Sequence, residues 1–121
     1  MDLSRSTNRR ACGAYKPATV LIIAGHFTVD PERRDEYLSA FADLVRRARQ
    51  APGCLDVAVT ADALDAGRVY MYERWASWHD VTSWRKVANT PEIDIEVTDA
   101  DIAMWDADGE RSPFEEKPGT E

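Results

Sequence analysis

Residues 68–91 read RVYMYERWASWHDVTSWRKVANTP, and a change of period inside this stretch decides the fold. From Arg68 to Trp75 the residues alternate: Val69, Met71, Glu73 and Trp75 share one side, Arg68, Tyr70, Tyr72 and Arg74 the other, which predicts a β-strand. After Trp75 the period lengthens. Ser77-Trp78-His79-Asp80 has the spacing of a capping box with Asp in the usual Glu position, and Val81, Trp84 and Ala88 follow at helical intervals. A helix is therefore expected from about Trp78 to Ala88, broken by Asn89-Thr90-Pro91.

On the N-terminal side, Asp62 to Gly67 is turn chemistry, and Cys54 to Ala61 alternates as a half-buried strand with Leu55, Val57 and Val59 on one face. Two strands this close predict an antiparallel hairpin. Pro52-Gly53 ends a preceding helix from about Pro31 to Gln50, whose Tyr37, Leu38, Phe41, Leu44, Val45 and Ala48 recur at three- and four-residue spacing. Asp30 is its expected N-cap, with Pro31 at the first helical position. Before it, Thr19 to Val29 is rich in branched residues and fits a buried strand, and Asp101 to Asp106 (DIAMWD) is a short last strand. The order β-α-β-β-α-β predicts a ferredoxin-like α+β fold: a four-stranded antiparallel sheet covered on one face by two helices. Apolar residues on both faces of the first and third strands predict that a second copy covers the other face, giving a homodimer with its sheets face to face.

The chain has 121 residues, 44% hydrophobic and 31% charged, which suits one domain of residues 19–109 with a core large enough to need no staple. Residues 1–18 form a basic leader with Arg5, Arg9, Arg10 and Lys16, and residues 110–121 a polar tail. The whole carries a net charge of -7, so the folded part is acidic and repels phosphate backbones; no nucleic-acid partner is expected. Two cysteines, Cys12 and Cys54, and two histidines, His26 and His79, make neither a disulfide framework nor a structural zinc site. The longest apolar run, Val20 to Gly25, is too short to cross a bilayer, and no export signal is evident. No membrane partner and a cytoplasmic location are expected.

The stretches PGCLDVAVTAD (Pro52 to Asp62) and YMYERWASWHDVTSWRKVANTP (Tyr70 to Pro91) resemble the antibiotic biosynthesis monooxygenase domain family, a branch of the dimeric α+β barrel folds. The resemblance extends over about residues 19–106 and is carried most specifically by the Pro52-Gly53-Cys54 turn and the Glu73-x-Trp75-x-Ser77 motif. It implies a cofactor-independent monooxygenase acting on a quinol, anthrone or similar polyphenol with O2. A deprotonated phenol is electron-rich enough to reduce dioxygen itself, so the protein supplies an apolar site and manages protons. Two rivals follow from the same resemblance: haem degradation, and a non-catalytic dimer that binds a small aromatic molecule.

The resemblance implies that Trp75, Met71 and Val81 line the substrate site, Met71 and Val81 standing where quinone-forming relatives carry Asn and Tyr. Trp84 stands where quinol-oxidising relatives carry His and haem-degrading ones Trp, so Trp75 and Trp84 are expected to clamp a flat aromatic substrate. His26 and Tyr72 are the candidate proton acceptors, and Arg85 the candidate holder of the resulting anion. Each also admits a structural reading: a strand-end histidine, an interface tyrosine, a surface cation. Glu73 shares a strand face with Trp75, so it is expected to need a salt-bridge partner or to act as a proton acceptor. Cys54 is expected to be a small packing residue.

Overall fold

The computed structural model describes residues 19–114; the basic leader and residues 115–121 of the polar tail lie outside the described residues. Strand β1 (Val20–Thr28) leads to a 3-10 turn (Pro31–Arg33) and helix α1 (Arg34–Arg49). The hairpin β2 (Cys54–Ala61) and β3 (Arg68–Trp75) follows, then helix α2 (Trp78–Val87) and strand β4 (Thr98–Ala107). The sheet is antiparallel throughout, with strand order β2-β3-β1-β4. This is the expected ferredoxin-like α+β fold.

Local chemistry explains the element boundaries. Asp30 accepts a hydrogen bond from the Glu32 amide at 2.9 Å, and the chain enters α1 through a single 3-10 turn after Pro31. The Ser77 hydroxyl oxygen accepts the Asp80 amide at 3.1 Å and donates to the Asp80 carboxylate at 2.9 Å, so the short Asp reaches the hydroxyl in this capping box. Gly53, at φ +81, turns the chain out of α1; a Cβ there would run into the Asp80 side chain.

Two features depart from the pattern reading. Strand β2 carries a bulge: Cys54 pairs with Trp75 and Asp56 with Arg74, so Leu55 is the extra residue. Cys54 therefore lies in register beside Trp75 and packs against the core, on the same side as Val57 instead of opposite it. Strand β4 is longer than DIAMWD because it pairs along the whole of β1, from Val20 opposite Ala107 to Thr28 opposite Thr98. Its first residues, Thr98-Asp99-Ala100, are exposed; Thr98 pairs with Thr28 and the register then shifts before Asp101 meets His26, which leaves no hydrophobic period to read.

Two apolar clusters fill the space between sheet and helices. One joins Leu21, Ile23, Ala48, Val57, Trp75 and Val81; the other joins Phe27, Val29, Tyr37, Val69 and Ile95. Leu21, Ile23 and Phe27 alternate along β1, so their side of the sheet is the helix side. Helix α1 packs on β2, and α2 touches β3. Arginines tie the edges: Arg34 Nη1 donates to the Asp65 carbonyl at 2.8 Å in the hairpin turn, and Arg47 Nη1 to the Ala88 carbonyl at 2.8 Å past the end of α2. Among the described residues no helix is long and apolar enough to cross a membrane.

The segment between α2 and β4 is held without regular structure. Ile95 and Ile93 insert into the second cluster, and the Arg33 guanidinium donates to Asp94 Oδ1 at 2.9 Å and to Glu36 Oε2 at 2.8 Å. Their shared hydrogen bonds to Arg33 hold the carboxyls of Glu36 and Asp94 below the usual carboxylate range. Stability from this clasp is present above the unfolded carboxylate values and is lost as pH falls through the depressed folded ones. Backbone order in residues 92–96, read as 15N order parameters, is expected to fall in the wild type as acidification neutralises Glu36 and Asp94. In Arg33→Ala it is expected to be low already at neutral pH; unchanged order in that variant would contradict the clasp.

Candidate functional site

The pairing register sorts the expected site residues onto opposite sides of the sheet. On the helix side, Val57, Glu73, Ile23 and Met104 form one row across the four strands, and Val59, Met71, Gly25 and Ile102 the next. On the other side lie Tyr72 beside Ala24 and Ala58, and Tyr70 beside His26 and Thr60. His26 and Tyr72 are therefore separated by the sheet from Trp75 and Met71, and the single constellation expected from the sequence does not assemble within one chain. The physical reason is the two-residue period: Tyr72 differs in parity from Met71 and Trp75, and His26 pairs with Tyr70.

His26 packs edge-on against Tyr70, with ring centroids 5.3 Å apart, and its Nε2 stands 4.0 Å from Asp101 Oδ2. Arg85 is exposed on α2, with its guanidinium 5.6 Å over the Trp78 ring. Its ring contact is with Trp78 and not with Trp75 or Trp84, so none of its contacts supports the anion-holding role expected of it.

Trp75 and Val81 are wholly buried at 0% exposure, so they form the back of the helix-side layer and not its accessible surface. Trp84 stacks on Trp75 with ring centroids 6.5 Å apart and planes 26° from parallel, and Arg47 lies 5.8 Å over the Trp84 ring. Met71 and Trp84 are partly buried against the same cluster. The two tryptophans are thus neighbours, in a stacked pair with one face closed by an arginine.

Pattern reading missed the part of the helix side that stays open. Ile102 and Met104 are 40% and 47% exposed although they lie in register with Gly25 and Ile23 on the core side of β1. The reason is topological: α1 sits over β2 and α2 beside β3, while β4 is the far edge strand. Gly25 is required here, because an added Cβ would sit inside the Asp101 carbonyl oxygen and 2.6 Å from the Ile102 Cα. The outcome is an apolar floor of Gly25, Met71, Ile102 and Met104. The alternation in DIAMWD puts Ile102 and Met104 on one face, but only the strand order shows that no helix covers it.

One carboxylate belongs to this floor. Glu73 stands in register between Val57 and Ile23, and its Oε1 accepts the Trp75 indole N–H at 2.9 Å. Among the described residues it makes no ion pair; the expected salt-bridge partner is replaced by the indole. Burial, with Glu73 nearby, pushes the Cys54 thiol up to about 11, so Cys54 stays a neutral packing group at neutral pH. A separate open groove of about 800 Å³ runs between α1 and β2, lined by Leu38, Phe41, Val45, Val59, Arg46 and Arg49 among others. None of the expected site residues lines it.

Several solved structures share this fold at low identity. A protein from Shewanella oneidensis is 16% identical, with a TM-score of 0.60 over 73% of this chain and 90% of its own. A provisionally named antibiotic biosynthesis monooxygenase from Caulobacter crescentus is 20% identical, with a TM-score of 0.57 over 81% of this chain and 97% of its own. Another, from Deinococcus radiodurans, is 18% identical, with a TM-score of 0.56 over 79% of this chain and 99% of its own. No curated protein matches the sequence. The family model for antibiotic biosynthesis monooxygenases matches residues 20–89, which span β1 through α2 and the Glu73-x-Trp75-x-Ser77 motif, and on that match the chain belongs to the antibiotic biosynthesis monooxygenase family.

Proposed function

We propose that this protein is a cofactor-independent monooxygenase that oxidises a quinol, anthrone or related polyphenol on the open helix-side floor. The observation that carries the reading is that floor itself: the apolar side chains of Met71, Ile102 and Met104 around the bare backbone of Gly25, beside a stacked indole pair. A flat aromatic ring gains by burial on such a surface, at roughly 25 cal/mol per Å² of apolar area removed from water. The chemistry needs no external reductant. A quinol plus O2 gives a hydroxyquinone plus water: one oxygen atom enters the ring, the other leaves as water, and the substrate supplies all four electrons. Removing the hydroxyl proton starts the reaction by making the ring a better electron donor to O2.

The opposite face of the sheet supports a homodimer. It presents Ile22, Ala24, Ala58, Tyr72 and Trp105, the last 54% exposed, and the buried Nε of Arg74 finds no acceptor among the described residues. A second copy laid on this face removes the apolar surface from water and brings acceptors for the guanidinium. Haem degradation fits less well. His26 is separated from Trp84 by the sheet, and His79 is exposed at the start of α2.

Oxygen uptake with a panel of quinols and anthrones tests the activity. Turnover is expected in the wild type, and a fall of about tenfold or more in kcat/KM in Met104→Lys, which places a charge on the floor. No uptake with any of them, alongside saturable quenching of tryptophan fluorescence, would make the protein a binder instead. Sedimentation tests the assembly: the 13.6 kDa chain is expected to run at twice that mass, and Trp105→Asp as a folded single chain. A monomeric wild type at micromolar concentration would contradict the dimer.

A further inference from the structure

From the geometry we infer that Glu73 is the catalytic base of the helix-side floor, with Trp75 as the residue that positions it; the inference rests on the proposed reaction. Among residues paired in register on this side of the sheet, only Glu73 and Asp106 carry a carboxyl group, and Asp106 is exposed on the edge strand. Glu73 instead sits within the sheet, flanked by buried Val57 and Ile23, and in the same row as Met104. Its Oε1 is fixed by the Trp75 indole at 2.9 Å. Oε2 makes no hydrogen bond to the described residues and is the oxygen left to meet a hydroxyl.

The use of Trp75 follows from its burial. A wholly buried indole N–H needs an acceptor, and an acceptor so fixed cannot swing away from the floor. The charged and titratable groups around Glu73 do not displace it from the role. Tyr72 and Arg74, its neighbours on β3, point to the other side of the sheet; Cys54 on β2 is a neutral thiol; Asp106 on β4 is two residues beyond Met104. From α1, Arg47 donates to Asp43 and the Ala88 carbonyl, and Arg49 to the Val57 carbonyl. Helix α2 contributes the apolar Val81 and Trp84 to this layer.

The step balances. Glu73 Oε2 takes the substrate hydroxyl proton, the anion passes an electron to O2, and the radical pair joins in a new carbon–oxygen bond. The Glu73 proton then goes to the distal peroxide oxygen. The oxygen–oxygen bond breaks as the hydrogen on that ring carbon leaves as a proton, so the distal oxygen departs as water and a carbonyl remains.

The test uses the full chain as wild type, Glu73→Gln and Trp75→Phe, with oxygen uptake as a function of pH and binding of a hydroxyanthraquinone, which has no reducing ring to spend on O2. Glu73→Gln keeps an acceptor for the indole and is expected to bind the probe while losing about 10²- to 10⁴-fold in kcat, together with the acidic limb of kcat/KM. Trp75→Phe, which removes the N–H that fixes Oε1, is expected to lower kcat about tenfold while KM and probe binding stay within about threefold of wild type. In the binding arm, wild-type affinity falls with protonation of one group as pH is lowered, whereas Glu73→Gln binding is flat. Turnover by Glu73→Gln within threefold of wild type, or a wild-type binding profile that the variant reproduces, would overturn the assignment. If the wild type turns over no substrate, the proposed reaction fails, and the binding arm still decides whether Glu73 meets the ligand hydroxyl.

Discussion

Everything in this structure depends on the register with which β1 is held between β3 and β4. With Leu21 opposite Trp75 and Ile23 opposite Met104, the large apolar residues of the inner strands fall on one side. A slip by one residue would turn Trp75 to the outside and bring Arg74 and Tyr72 into the core. Gly25 contributes to this register, because the close approach of the β4 backbone at Asp101 and Ile102 leaves no room for a side chain there. The same constraint aligns the floor, since Met71, Gly25 and Ile102 share a row only in this pairing.

The two sides of the sheet then acquire different chemistry. The helix side has the stacked Trp75–Trp84 pair, one indole-bound carboxylate and an apolar strip that neither helix covers. The other side has His26, Tyr70, Tyr72 and two arginines, Arg68 and Arg74, whose buried Nε atoms lack acceptors among the described residues. The first arrangement sets an exposed apolar strip beside a fixed carboxylate; the second sets aromatic rings beside cationic side chains. Helix coverage sets this division: α1 and α2 attend to β2 and β3, and the edge strand β4 is left uncovered.

Much of this was legible in the sequence. The alternation in RVYMYERW, the capping box at Ser77 and the stripe from Tyr37 to Ala48 gave the elements and their order, because each is a local signal with a local cause. The family followed from the Pro52-Gly53 turn and the Glu73-x-Trp75-x-Ser77 motif. What was not legible depended on pairing. The bulge at Leu55 reverses the face of Cys54, and no property of CLDV announces it. His26 was grouped with the tryptophans by function, although only its register with Tyr70 determines its side. The partner of Glu73 is not legible either, because the indole donor two residues away on the same strand face belongs to a residue expected to touch substrate.

The central claim is that the aromatic ligand lies on the helix side of β1 and β4 and not against the histidine side. Methyl-labelled methionine is a direct probe, since the chain has three methionines and two of them, Met71 and Met104, belong to the floor, while Met1 lies in the leader. On titration with a hydroxyanthraquinone, the account predicts that the Met71 and Met104 methyl resonances shift together and saturate, while the Met1 methyl and the His26 ring protons stay in place. Shifts at His26 with both floor methionines unmoved would contradict it.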